Sequence, residues 1–356
     1  MTRLLALVAL LALPRAAAPP LRGPVDVDAR RAAVGKPFPS PTRTPVAQPI
    51  RDLQGYSYYV DYLDAHAAAD SGLKTDNDRV FKPLRAYVAR VATLADCWVQ
   101  SLPANADCAK VAVESLAGWA RADALLGTAN QQGRYERTWT LASLALSYLK
   151  VRDAPGLGRP DTSAVESWLS QIARLVRAAS DQAGRMSGAN NHAYWAGLAV
   201  AAAGAAAQDR GLFDWGLSRA RVGIAQVRAD GFLPLELERK ALALHYHLFA
   251  LAPLVMTAEL AAANGTDLYK EGNRAIQRLA DRVIAGLADP APFATATGVT
   301  QQVKSPPRGP DLAWAEAYFA RFHDRRLASL LAAARPLRDD RLGGDLTASF
   351  GVPDLR

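Results

Sequence analysis

Asn190-Asn191-His192-Ala193-Tyr194-Trp195-Ala196-Gly197-Leu198-Ala199-Val200-Ala201-Ala202-Ala203-Gly204-Ala205 sets two amides and an imidazole at the head of a long Ala-rich apolar run. Asn190 suits the cap of a helix beginning at 191, since its short side chain can accept from an otherwise unpaired N–H. Successive residues on a helix diverge by about 100°. Asn191 and His192 can therefore reach one ligand only from a helix start or a loop. Trp195, three residues beyond His192, shares its face. Polar groups this close inside apolar sequence form either a buried hydrogen-bonded knot or the floor of an active site.

The same helical reading extends outward. Apolar residues recur at three- and four-residue spacing, as in Leu141, Leu144, Ala145 and Leu149. The pattern predicts helices over about 77–100, 109–126, 137–152, 163–183, 191–208, 212–229, 238–264, 266–287, 309–322 and 325–335. Turn residues separate them: Pro155-Gly156, Gly158, Asp230-Gly231, Asn264-Gly265, Pro290 and Pro292. No βαβ alternation appears. Such a run of helices on short loops, without a strict repeat, predicts an all-α antiparallel barrel or superhelix with a central groove.

The N-terminus reads Met1-Thr2-Arg3, then an apolar run Leu4–Leu13, then Pro14-Arg15-Ala16-Ala17-Ala18. A short positive start, an apolar core and a small-residue finish predict an export signal over 1–18. A Pro-rich stretch, 19–50, reads as an extended arm laid on a single domain spanning 51–356. No other apolar run reaches the length of a membrane span, so a soluble, periplasmic monomer is expected. Cys97 and Cys108 are expected to pair in an oxidising compartment, closing a loop that contains Pro103; free buried thiols are the alternative. Neither cysteine has His or Asp neighbours at metal spacing, and no metal or cofactor is expected.

The chain has 356 residues, half of them hydrophobic, and a formal charge of +8. The excess stays positive after Arg3 and Arg15 leave with the signal, which suits a polyanionic partner. A merely basic surface would give the same count. Nucleic acid is disfavoured, because the basic residues are dispersed and carry no recognition motif.

A second stretch bears chemistry: Arg239-Lys240-Ala241-Leu242-Ala243-Leu244-His245-Tyr246-His247. Arg239 and Tyr246 are two turns apart and should share a helix face. Arg supplies a planar fork for a carboxylate. His245 and His247 point about 200° apart on a helix, a poor metal chelate, and read as satisfied polar or core histidines. His192, Tyr246, Asn191 and Arg239 together offer a base, an acid and donors for an anion. That set suits abstraction of a proton beside a carboxylate, followed by elimination. A hydrolase built on Glu236 and Glu238 fares poorly, since the two lie two residues apart with no evident partner.

NNHAYWAGLAV (190–200) and ADGFLPLELERKALALHYHLFALAPLVMTAELA (229–261) closely resemble the periplasmic alginate lyases of polysaccharide lyase family five. Trp119-Ala120, Gln132 with Arg137-x-Trp139-x-Leu141, Tyr148-Leu149-Lys150 and Arg341-Leu342-Gly343-Gly344-Asp345-Leu346-Thr347 agree as well, so the likeness runs from about Tyr56 to Thr347. It implies an incomplete α/α toroid with a deep cleft and a lid loop near the N-terminal end. It implies cleavage of β-1,4-linked uronate chains by β-elimination, with an unsaturated sugar at the new end and an anionic polysaccharide as partner. By this resemblance Asn191 and Arg239 would neutralise the C5 carboxylate. His192 would act as base or as its partner, and Tyr246 would protonate the glycosidic oxygen. Gln132, Trp139, Trp195, Arg137, Lys74 and Arg341 would contact substrate.

The chain departs from the pattern in two places. Where the family's lid has Lys-Tyr-x-x-Ser-Asp, this chain has Lys74-Thr75-Asp76-Asn77-Asp78, leaving Tyr58, Tyr59 or Tyr62 to supply a lid tyrosine. The usual Gly after Arg239 is Lys240, and an Arg expected two or three residues on is missing. Polymannuronate is the expected substrate, with polyglucuronate or hyaluronan as alternatives. A non-catalytic polysaccharide-binding component of an exopolysaccharide secretion complex is the reading from another class.

Overall fold

The structure, a computed structural model, describes residues 18–57, 71–184, 187–302, 307 and 309–355. The predicted export signal, save its last residue, lies outside these, as do Tyr58, Tyr59 and Tyr62. The described helices are α1 (Val27–Val34), α2 (Ser71–Gln100), α3 (Ala106–Arg121), α4 (Gln131–Val151), α5 (Arg159–Asp181), α6 (Asn191–Ala206), α7 (Arg210–Gln226), α8 (Pro234–Leu237), α9 (Ala243–Ala262), α10 (Glu271–Ala288), α11 (Ala291–Thr297), α12 (Gly309–Leu312), α13 (Trp314–Phe322), α14 (Arg325–Ala334) and α15 (Leu346–Phe350).

They form an incomplete toroid. Helices α2, α4, α6, α9 and α13 touch in succession as an inner layer, while α3, α5, α7 and α10 pack outside them. Sequence dictates which layer a helix joins. In α6, which carries no charged side chain, every residue but His192 is buried, as expected of a helix apolar on all sides. In α5 the buried positions Thr162, Val165, Trp168, Leu169, Ser170, Ile172, Ala173 and Val176 share one face, and the opposite face meets solvent. α6 and α7 approach so closely that a Cβ on Gly216 would lie 2.5 Å from the Gly197 carbonyl oxygen. Gly is required there to let the two backbones meet. Cys97, near the end of α2, is disulfide-bonded to Cys108 at the start of α3.

Several expectations need correction. The arm is not wholly extended, since it contains α1, capped by Asp26. It runs along the outside of the ring. Leu21 N–H donates to Gln208 Oε1 and Arg22 N–H to Asn264 Oδ1, and the Arg30 Nε donates to the Ala348 carbonyl. One helical segment, Lys240–Ala262, is in fact long and apolar enough for a membrane span, but most of it is buried in the fold. The predicted helix 238–264 is broken. Chain from α8 turns through Glu238 and Arg239, Lys240 adopts a left-handed φ of 49°, and the regular helix begins only at Ala243. The predicted helix 266–287 is likewise interrupted, by left-handed backbone at Gly272, Asn273 and Arg274. A short two-stranded ladder, β1 (Arg338–Asp339) with β2 (Gly344–Asp345), was not anticipated.

Candidate active site

A groove of about 1020 Å³ opens on the inner layer. The head of α6 brings Asn191 and His192 to it, α9 brings His245, Tyr246 and Phe249, and α4 brings Gln132, Tyr135, Glu136 and Trp139. The segment 338–341 and the first half of α2 complete its rim with Arg341, Lys74 and Arg85. Asn190 caps α6 by accepting from the His192 N–H at 3.0 Å. That cap places Asn191 and His192 in the first turn, where both can reach the groove.

His192 and Tyr246 therefore share one trough. The His192 ring stacks on Tyr135, centroids 3.9 Å apart, and the Tyr135 hydroxyl accepts from Gln131 Nε2 at 2.9 Å. Burial at the groove floor, then the nearby Arg239 charge, hold the His192 imidazole well below the usual histidine range, so it is neutral near pH 7. Arg239 and Tyr246 do not share a helix face, because the backbone breaks at Lys240. They meet nonetheless: the Arg239 guanidinium lies 4.5 Å from the Tyr246 ring centroid. Arg239 is buried and stands behind the groove wall, so the structure brings Asn191, His192 and Tyr246 to the groove surface and sets Arg239 in support.

Asn191 also differs from expectation. Its main-chain N–H donates to Glu236 Oε1 at 2.8 Å, and its Nδ2 lies 3.1 Å from both Glu236 oxygens. The amide donors predicted for substrate are thus engaged by a completely buried carboxyl group. Glu236, which had no evident partner in sequence, is partnered by a residue 45 positions away. Burial is the largest influence on it and pushes its carboxyl up to about 7.

The far rim handles charge by pairing. Arg341 forms a two-pronged pair with Asp339 and lies over the Phe249 ring at 5.1 Å. Arg85 grips Glu136 through Nε and Nη2 and reaches Asp78, which also accepts from Lys74. Arg338 pairs with Asp96, whose other oxygen accepts from Lys150 at 2.8 Å, while Lys150 also donates to the Gly343 carbonyl. Among the described residues, the groove is lined by Lys74, Arg85, Arg338 and Arg341 against Asp78, Glu136, Asp311, Asp339 and Asp340. The chain's net positive charge is not gathered there, contrary to the simple reading of composition.

One substrate-contact expectation is overturned. Arg137 is buried away from the groove and donates to the Gly127 carbonyl at 2.6 Å. Trp195 is among the residues lining the groove, with no exposed surface of its own and its indole N–H donating to the Phe249 carbonyl, so it forms part of the floor. Gln132 and Trp139 line the groove, and Lys74 stands at its mouth within α2. His247 is a core residue: Nδ1 contacts the Ala243 carbonyl and Nε2 accepts from Leu233 N–H. His245, by contrast, faces the groove. Glu236 and Tyr135 were missed, since their partners Asn191 and His192 are distant in sequence; Asp339 was missed although its partner Arg341 lies only two residues on. Among the described residues no group of three or more His, Cys, Asp or Glu could hold a metal ion.

Residues 73–293 match the alginate lyase family. A polysaccharide lyase of Stenotrophomonas maltophilia (strain K279a) is 39% identical over 86% of this chain and 90% of its own length. An alginate lyase of Pseudomonas putida (strain GB-1) is 39% identical over 70% of this chain and 68% of its own. Among solved structures, the alginate lyase A1-III H192A form complexed with tetrasaccharide superposes with a TM-score of 0.82 at 28% identity, covering 93% of this chain and 96% of that one.

Proposed function

We propose, from the premise that the chain belongs to the alginate lyase family, that Tyr246 and His192 carry out its elimination and that polymannuronate is its preferred substrate. The protein is a polysaccharide lyase, a carbon–oxygen lyase that cleaves polyuronate by β-elimination. The observation that carries the assignment of residues is the convergence of Asn191, His192 and Tyr246 on one groove, with Arg239 against the Tyr246 ring.

A C5 proton beside an ionised carboxylate is poorly acidic, because its removal adds a second negative charge to the same group. The positive end of α6 and the Arg239 guanidinium supply the compensating potential. Neutral His192 can accept a proton or donate a hydrogen bond to the uronate carboxylate. In the elimination the C5–H bond breaks, its electrons form the C4–C5 double bond, and the C4–oxygen bond opens. The departing oxygen takes a proton. In mannuronate the C5 hydrogen and the leaving oxygen lie on one face, so Tyr246 can remove the first proton and deliver the second. In guluronate they lie on opposite faces, and His192 would act from its own side. Gln132, Trp139 and Arg341 are the wall groups placed to hold neighbouring sugars.

The chain is proposed to act in the periplasm as a monomer. Its signal-like leader and the Cys97–Cys108 disulfide support export. The test is absorbance of the conjugated double bond with polymannuronate, polyguluronate, polyglucuronate and hyaluronan. The steepest rise is expected with polymannuronate; no rise with any of them would reject the activity.

A further inference from the structure

No step of the elimination above uses Glu236, yet it is bound to the head of the catalytic helix. Its carboxyl, completely buried on α8, holds both the main chain and the side-chain amide of Asn191. With Nδ2 so engaged, the other end of that amide, Oδ1, is buried without a hydrogen-bond partner beside the groove that Asn191 lines. An acceptor in that position opposes an anionic sugar. The carboxylate also occupies the positive end of α6, where a uronate would otherwise gain.

One proton removes both conflicts. A protonated carboxyl has one donor and one acceptor. Its carbonyl oxygen keeps the Asn191 main-chain N–H, and its O–H donates to Asn191 Oδ1 once the amide turns over. The orphaned acceptor is satisfied, and Nδ2 faces the groove as a donor. We propose that Glu236 is the positioning residue that sets the Asn191 amide, and that polyuronate binds the form in which Glu236 is protonated and the amide presents its donors. This deepens the lyase reading and rests on it.

The surroundings favour such a switch near neutrality. Arg239 on the following turn draws the group toward the carboxylate, and Glu238 opposes that. From α6, Tyr194 is held un-ionised, its hydroxyl on the Ala189 carbonyl. From α9, His247 is held neutral by burial. α11, packed on α8, brings no titratable side chain. Burial outweighs the rest, and Glu236 is pushed up to about 7.

Calorimetry on the intact chain tests this, with an oligomannuronate of defined length and Tyr246→Phe as a background that binds without turnover. At pH 8, in two buffers of different ionisation enthalpy, binding should take up about one proton per site. Adding Glu236→Gln, which supplies the same donor and acceptor as the protonated acid, should abolish that uptake. It should tighten binding about tenfold at pH 8 and leave it unchanged near pH 5.5. Equal uptake with and without Glu236→Gln, or weaker binding by the same factor at every pH, would overturn the inference. Binding with no proton uptake in the Tyr246→Phe background would also overturn it while sparing the lyase reading. Failure to bind any polyuronate would bring down both.

Discussion

One wall of the groove is built from the head of α6 and the start of α9, the other from the loop 338–341 with α2 and α4. On the first wall, ionisable groups are buried and held away from their ordinary charge states: His192 stays neutral, and Glu236 keeps its proton well above the usual carboxylate range. On the second, every cation is matched at close range, Arg341 to Asp339, Arg85 to Glu136, and Arg338 with Lys150 to Asp96. Burial draws Glu236 toward neutral pH and takes His192 away from it, so this wall offers uncharged hydrogen-bonding groups where the elimination is proposed to occur. Holding a polymer needs groups that stay put, and paired charges are stiff. The two walls divide those tasks.

Breaking the first wall should have the larger effect. Tyr246→Phe is expected to lower kcat by about 10²–10⁴-fold with oligosaccharide binding kept, read from ultraviolet absorbance and calorimetry. If turnover persisted, Tyr246 would be no more than a wall residue. On the second wall, Asp96→Ala leaves Lys150 and Arg338 without their shared counter-charge. A loss of about 3–5 kcal/mol is expected, seen in denaturant midpoints, with KM raised more than kcat is lowered because the loop carrying Arg341 loosens. An unchanged KM would mean that the ion knot does not position Arg341.

The pH dependence of stability separates the walls again. Glu236 keeps its proton up to about 7 in the folded chain against an ordinary 4.5. Its contribution is present below pH 4.5 and is lost as pH rises through 7, amounting to about 3 kcal/mol across that window. Glu236→Gln should remove this slope, as the difference between the two unfolding-versus-pH curves would show; parallel curves would deny the shift. The smallest effect concerns the corner that joins α8 to α9. Lys240 sits at φ 49°, a conformation that costs a side chain about 1 kcal/mol. Lys240→Gly should raise stability by less than about 1 kcal/mol, partly offset by the freer unfolded chain, as a small rise in melting temperature. A fall would show that Lys240 makes contacts worth more than its strain.

Sequence carried the helices well where pattern and punctuation agree, as from Leu141 to Leu149 or at the Asn190 cap. It misread 238–264, because Leu237 to His247 contains neither Gly nor Pro and the break rests on Lys240 in a conformation sequence does not advertise. In α4 every position from Thr140 to Val151 is buried and the first turns are mixed, so periodicity did not say that Trp139 faces the groove while Arg137 faces the Gly127 loop. The candidate groove residues were legible because His, Tyr and Asn stand out in apolar surroundings. Glu236 was not, since its role exists only once α6 and α8 are brought together. Charge misled for a related reason: composition counts cations but not the carboxylates beside them.

The near balance of charge along the trough has a bearing on how a long polymer is handled. A strongly electropositive trough would grip the chain along its length, release it slowly, and lose that grip steeply with added salt. This one, already neutralised from within, would have to rely on shape and directed hydrogen bonds instead. It should cut, let go and strike elsewhere on the strand, yielding fragments of scattered length, and should keep working in brine.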